Sequence, residues 1–119
     1  MDVVNLAEAE PFTTMDGSEI RELLAHRNSG IRNQSLAEAR VAPGATTAAH
    51  YHPNTEEIYY ILAGTGRMWI DDEERDVKAG DAISIPPGKV HKITNVGSIP
   101  LTFLCCCAPG YEHSDTVLI

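Results

Sequence analysis

Apolar residues occur in short runs along the chain, broken by glycine and proline at roughly the eight-to-fifteen-residue spacing of strands joined by turns. The strongest run is Glu57 to Ala63, where Ile58, Tyr59, Tyr60, Ile61 and Leu62 are strand formers. Ser35 to Val41 alternates loosely through Leu36, Ala37, Ala39 and Val41 and reads as a strand despite its helix-friendly alanines and glutamate. Ala48–His52, Arg67–Ile70, Ala82–Ile85, Val90–Thr94 and Leu101–Cys107 read the same way, while Ser18–Leu24 fits either a strand or a helical turn. Turns are expected at Asp16-Gly17, Pro43-Gly44, Pro53-Asn54, Gly64-Thr65-Gly66, Gly80-Asp81 and Pro86-Pro87-Gly88. Arg67–Ile70 is expected to pair back on the strand before it, and Asp71–Glu74 to be a solvated hairpin tip. No amphipathic helix, repeat or low-complexity tract interrupts the pattern. The class is all-β, a sandwich or barrel.

A chain of 119 residues with 43% hydrophobic positions is expected to form one domain, residues 1–119, with a single core. Nine basic residues face seventeen acidic ones, a net charge of −8. The cations are scattered, which argues against a nucleic-acid partner. The central apolar run from Ile58 to Ala63 is far below the ~18 residues of a membrane span. The first cation is Arg21, so the N-terminus does not read as a signal peptide, and a cytoplasmic location is the expectation.

The three cysteines, Cys105, Cys106 and Cys107, are contiguous. Strand neighbours point to opposite faces, so the three thiols cannot converge on one tetrahedral metal. They read as small apolar residues filling a strand, with a redox-active vicinal pair as the alternative.

The histidines carry more chemistry. His50 and His52 share one face of their expected strand, Glu56 and Glu57 follow at the start of the next, and His91 lies past the Pro86-x-Gly88 turn. Imidazole and carboxylate are ligands for several divalent metals, and such groups can converge inside a barrel. Each histidine taken alone reads rather as a surface residue or a hydrogen-bonded core residue than as a ligand.

The order of the positions is more specific. Gly44-x5-His50-x-His52-x4-Glu57-x6-Gly64 is followed by Gly80-x5-Pro86-x-Gly88-x2-His91-x3-Asn95. The chain resembles a small single-domain cupin, of the germin-like and phosphomannose-isomerase-like superfamily, with the two motifs spanning residues 44–95. The resemblance implies a double-stranded β-helix, a jelly-roll barrel, with an N-terminal strand extension and a C-terminal tail. It also implies that His50, His52, Glu57 and His91 bind one divalent transition metal (Mn, Fe, Zn, Ni or Cu), leaving two positions for water or substrate. Glu57 rather than Glu56 meets the six-residue gap to Gly64 and shares strand parity with Tyr59 and Ile61. Asn95 is expected to close the turn after its strand.

An inward Tyr59 is a candidate proton or hydrogen-bond donor, or a core aromatic. Trp69 and Phe103 are expected to pack, and His26 has no assigned role. The tail with Tyr111, His113 and Asp115 either folds over the barrel mouth, packs on a partner, or stays loose. Arg67 and Lys89 are expected at turns, without forming a cationic cradle for a phosphorylated sugar. The reading that follows is a metal-dependent enzyme for a small molecule, with dioxygenase-type oxygenation ahead of isomerisation or decarboxylation. The alternatives are a sensor module that binds a sugar or carboxylate and a metal-free binding or structural barrel. A homodimer is the expected assembly, by resemblance and because a small sandwich exposes strand edges.

Overall fold

The computed structural model describes residues 1–119. It contains eleven strands and two short 3-10 turns, Leu6–Glu8 and His113–Asp115. In chain order the strands are β1 Phe12–Thr13, β2 Glu19–Leu24, β3 Ser35–Val41, β4 His50–Tyr51, β5 Glu56–Ala63 and β6 Thr65–Ile70. They continue with β7 Glu73–Lys78, β8 Ala82–Ile85, β9 His91–Asn95, β10 Leu101–Ala108 and β11 Val117–Leu118. One sheet has the order β1-β2-β3-β10-β5-β8 and the other β11-β4-β9-β6-β7, with every pairing antiparallel. The two sheets form the jelly-roll barrel.

Side-chain alternation builds the interior. Glu57, Tyr59 and Ile61 of β5 are buried, while Glu56, Ile58, Tyr60 and Leu62 are exposed. On β10, Leu101, Phe103, Cys105 and Cys107 are buried, and on β9 His91, Ile93 and Asn95. The apolar core, including Val41, Ile61, Met68, Ile85, Ile93 and Phe103, fills one part of the barrel. The histidines lie at the other. No helix is long and apolar enough to cross a membrane.

Several sequence expectations need correction. Ser18–Leu24 resolves as a strand from Glu19. The expected strand Ala48–His52 shrinks to His50–Tyr51, because the Ala48 amide donates instead to the Asp16 carbonyl at 2.7 Å and the His52 carbonyl accepts from Gly88 at 2.8 Å. β6 does not pair back on β5. The chain crosses to the other sheet at Gly64, where φ is +89° and an added Cβ would lie 3.0 Å from the Leu101 Cα, and β6 then pairs with β7 and β9. The acidic tip is only Asp71-Asp72, since Glu73 and Glu74 open β7. Arg67 lies inside β6, with Asp76 at 3.1 Å and Glu74 at 3.4 Å, and not at a turn. Trp69 points away from the core and carries the Lys92 ammonium 5.1 Å from its ring centre. Phe103 does pack, at 1% exposure.

The Asn95 expectation holds in detail. Its Oδ1 accepts from the Gly97 amide at 2.9 Å, and its Nδ2 donates to the carbonyls of Val41 and Ile99. The side chain thus ties the end of β9 to β3 and to the loop before β10.

Candidate metal centre

Three imidazoles meet inside the barrel. His50 opens β4 directly opposite His91, which opens β9, and their ring centres are 4.2 Å apart. His52 follows β4, with its ring 5.1 Å from His50 and 5.5 Å from His91. All three are buried, and one nitrogen from each lies within 4.8 Å of the others. This group can hold a metal ion.

The backbone sets which nitrogens face inward. His50 Nδ1 donates to the Ala48 carbonyl at 2.8 Å, His91 Nδ1 to the Lys89 carbonyl at 2.9 Å, and His52 Nδ1 to the Asp115 carbonyl at 3.1 Å. A carbonyl oxygen only accepts, so each Nδ1 carries the hydrogen and each neutral ring keeps a lone pair on Nε2.

Glu57 projects from β5 toward the same place. Its Oε1 lies 3.4 Å from His52 Nε2 and 3.6 Å from His91 Nε2. Glu57 Oε1 and His91 Nε2 are buried and have no hydrogen-bond partner. Buried polar atoms without partners are costly, and here they sit beside one another as acceptors. A cation among them satisfies both.

The electrostatics favour positive charge at this point. Burial alone would raise the Glu57 carboxyl, but the adjacent His52 and His91 imidazoles, when they carry a proton on Nε2, outweigh it and hold the group at about 2. Burial would lower His52, but Glu57 and then the Asp115 carbonyl reverse the direction, and His52 is raised. Burial and then repulsion from His91 lower His50.

Tyr59 is 4% exposed, faces inward as its parity predicted, and stacks on Phe103 with ring centres 4.5 Å apart. Its ring centre is 6.0 Å from that of His91. Burial, followed by the charge of Glu57, pushes its hydroxyl well above the usual phenol value, so it stays a proton donor. A cavity of about 50 Å³ adjoins the imidazoles, lined on the apolar side by Phe12, Ile20, Tyr59 and Phe103 and on the polar side by Asp16 and Arg27.

Of the three expectations for the tail, folding over the barrel holds, and a further contribution to this site comes from a residue that the sequence reads as strand packing or part of a redox-active pair. The tail folds back onto the barrel: β11 pairs with β4, Thr116 Oγ1 lies 3.3 Å from His52 Nδ1, and Tyr111 stacks edge-on to His52. The Asp115 carboxylate accepts from the amides of Asn54 and Thr55 and from Asn54 Nδ2. Burial opposes its ionisation, but these donors, the Thr55 amide foremost, hold Asp115 below the usual carboxylate value. His26 and Arg27 both engage Glu112 of the tail, and Arg27 also grips Glu22. That further contribution is Cys107, whose thiol donates to Glu57 Oε2 at 3.2 Å. Strand parity could have placed Cys107 inward, but only the β5–β10 register sets it opposite Glu57.

Two antiparallel sheets closed around inward-facing histidines define a β-barrel protein of the jelly-roll kind with a candidate metal pocket. The chain belongs to the cupin family: residues 37–107 match the family model described as a cupin domain. An uncharacterized protein of Methanocaldococcus jannaschii is 53% identical over 112 residues, covering 92% of this chain and 88% of that one. The oxalate-binding protein of Thermotoga maritima is 33% identical over 86 residues, covering 72% and 71%. The polyketide cyclase RemF of Streptomyces resistomycificus superposes with a TM-score of 0.84 at 23% identity, over 100% of this chain and 85% of that one, a likeness of fold.

Proposed function

We propose that residues 1–119 act as one cupin domain in which His50, His52, His91 and Glu57 hold a single divalent transition metal, and that the domain transforms a small oxygen-donor molecule there. The observation that carries this reading is the convergence of unpartnered acceptors. Glu57 Oε1 and His91 Nε2 are buried together without a donor, and the backbone ties on all three Nδ1 atoms aim the lone pairs inward. A bound metal would supply Lewis-acid polarisation of a ligand oxygen, and dioxygen chemistry in addition if it is iron or copper.

The chain's own residues supply the rest. The Tyr59 hydroxyl, held protonated, donates to a ligand oxygen in the cavity. Phe12, Ile20 and Phe103 exclude water from the apolar side. The cavity volume favours a ligand of a few heavy atoms, and the oxalate-binding relative favours a small carboxylate. For such a ligand, oxygenation and decarboxylation are the two chemistries to separate. Oxygen uptake and carbon dioxide release, measured on the iron-, copper- and manganese-loaded protein with small carboxylates and diketones, separate them. Turnover with none of these metals overturns oxygenation and decarboxylation as the chemistry of this site.

The name of that relative also favours a second reading, in which the domain binds a small carboxylate without transforming it. Calorimetric binding to the metal-loaded protein with no product formed would decide for it. The expected homodimer has support in the exposed row Ile58, Tyr60 and Leu62 on the outer face of β5, an apolar surface suited to a second copy.

A further inference from the structure

The three adjacent cysteines, which the sequence reads as strand packing or a redox-active vicinal pair, are divided by the structure. β10 turns Cys105 and Cys107 inward and Cys106 outward. Cys107 lies between Ser35 of β3 and Glu57 of β5 in the register of the sheet. It is 2% exposed and Glu57 is 6% exposed, so the contact between them is shielded from water.

The contact is directional. The Cys107 thiol donates to Oε2 of Glu57 at 3.2 Å, while Oε1 has no hydrogen bond and faces the Nε2 atoms of His52 and His91. The last torsion of a glutamate is broad and roughly two-fold, so the backbone alone does not choose which oxygen faces the imidazoles or how the carboxylate plane is tilted. A donor on one oxygen removes that freedom. Groups that hydrogen-bond a ligating carboxylate act on metal affinity in this way.

We propose that Cys107 is a positioning residue: its thiol fixes the rotation of the Glu57 carboxylate so that Oε1 is presented to the metal. This rests on the reading that Glu57 joins the three histidines as a ligand. A packing role would ask only for bulk at position 107, which valine supplies. The positioning role asks for a donor, which serine supplies and valine does not.

The test is a cobalt(II) titration of the full chain, read by the visible ligand-field spectrum and by competition with a chelator. Cys107→Val is expected to weaken cobalt binding about 10-fold, the low end of such effects because a thiol is a weak donor. Cys107→Ser is expected to restore most of it. Cys105→Val, two residues away on the same face and opposite Tyr59, is expected to leave affinity unchanged. In a Glu57→Gln background, Cys107→Val should have little further effect, because both changes act on one interaction. Thermal unfolding of the metal-free variants checks that each is folded, and Cys107→Ala replaces Cys107→Val if the latter is not. Wild-type affinity in Cys107→Val overturns the proposal, as does a serine variant no better than valine. A sulfur-to-cobalt charge-transfer band in the wild type that disappears in Cys107→Ser also overturns it, because the thiol would then be a ligand itself. A wild type that binds no cobalt overturns the metal reading beneath it and is recognised before any variant is made.

Discussion

Asp115 and His52 stand sixty-three residues apart in sequence, and the carbonyl of Asp115 accepts from Nδ1 of His52 at 3.1 Å. The tail therefore orients one of the three imidazoles. The Asp115 carboxylate holds that tail in place through the amides of Asn54 and Thr55. Replacing Asp115 with alanine removes these bonds but not the carbonyl. It is expected to cost about 1 kcal/mol of stability in denaturant unfolding and to weaken metal binding several-fold through a looser His52. Removing residues 111–119 should do more, because it deletes the carbonyl and β11 together. Wild-type metal affinity in the truncated chain would contradict this role of the tail.

Metal stoichiometry tests the candidate centre. The wild type is expected to carry one equivalent of a divalent transition metal by elemental analysis, and His91→Ala or His50→Ala to carry almost none. Metal at about 100 times its dissociation constant should add about 2.7 kcal/mol to stability, and chelation should remove that increment. An unfolding curve indifferent to both metal and chelator in the wild type would contradict the site.

The pH dependence has a defined direction. Glu57, held at about 2, stays ionised throughout the working range and adds no pH dependence to metal binding there. His52 is raised from 6.5, so protons compete for its Nε2, and metal affinity should fall as pH drops through and below that raised value. In the metal-free protein the two groups act oppositely. Glu57 contributes stability above its ordinary 4.5 that is lost as pH falls toward about 2. His52 contributes stability below 6.5 that is lost as pH rises through its raised value. Metal titrations across pH, with unfolding curves of the metal-free protein, check both.

The sheet crossing at Gly64 offers a test of the fold. An alanine there must adopt φ near +89° and place its Cβ 3.0 Å from both the Leu101 Cα and the Pro100 carbonyl. The left-handed region alone costs about 1–2 kcal/mol, and the backbone contact adds to it. Gly64→Ala should lower the unfolding midpoint accordingly, whereas alanine at Gly80, which has open space around it, should cost only the conformational part.

The assembly proposal predicts that Tyr60→Glu or Ile58→Glu converts a dimer to a monomer in light scattering. Metal binding should be unaffected, because both side chains face away from the barrel interior.

Much of the site was legible before the fold was known. Period-two parity placed His50 with His52 and set Glu57 apart from Glu56, and the structure buries Glu57 while exposing Glu56. The bounds of the strand Ser35–Val41 were legible to the residue from the flanking polar segments, which are a local signal, although its burial does not alternate and Glu38 and Ala39 are both buried. What escaped was non-local. Nothing in Arg67–Ile70 says that it joins the opposite sheet, because a strand's pattern records which face is buried and not which strand lies beside it. The same blindness concealed the Cys107–Glu57 contact, which depends on the register of two strands fifty residues apart. It also concealed the reach of Asp115 to His52. The residues were visible as inward-facing or as a tail, but not as neighbours.

One edge of the second sheet gives part of the net charge a purpose. β7 ends that sheet, and Glu73, Glu74, Arg75 and Asp76 are all exposed along it. A strand edge with unpaired amides and carbonyls is a template on which another chain can add, and charged side chains there discourage it. At the opposite end of the same sheet, β11 already occupies the edge of β4. The strand that begins with His50 is therefore closed to a foreign strand by β11, and the charged β7 edge repels one. Edge-to-edge growth from the β7 side of the sheet that carries His50 and His91 is thereby disfavoured, so crowding would drive that side of the barrel toward contacts between faces.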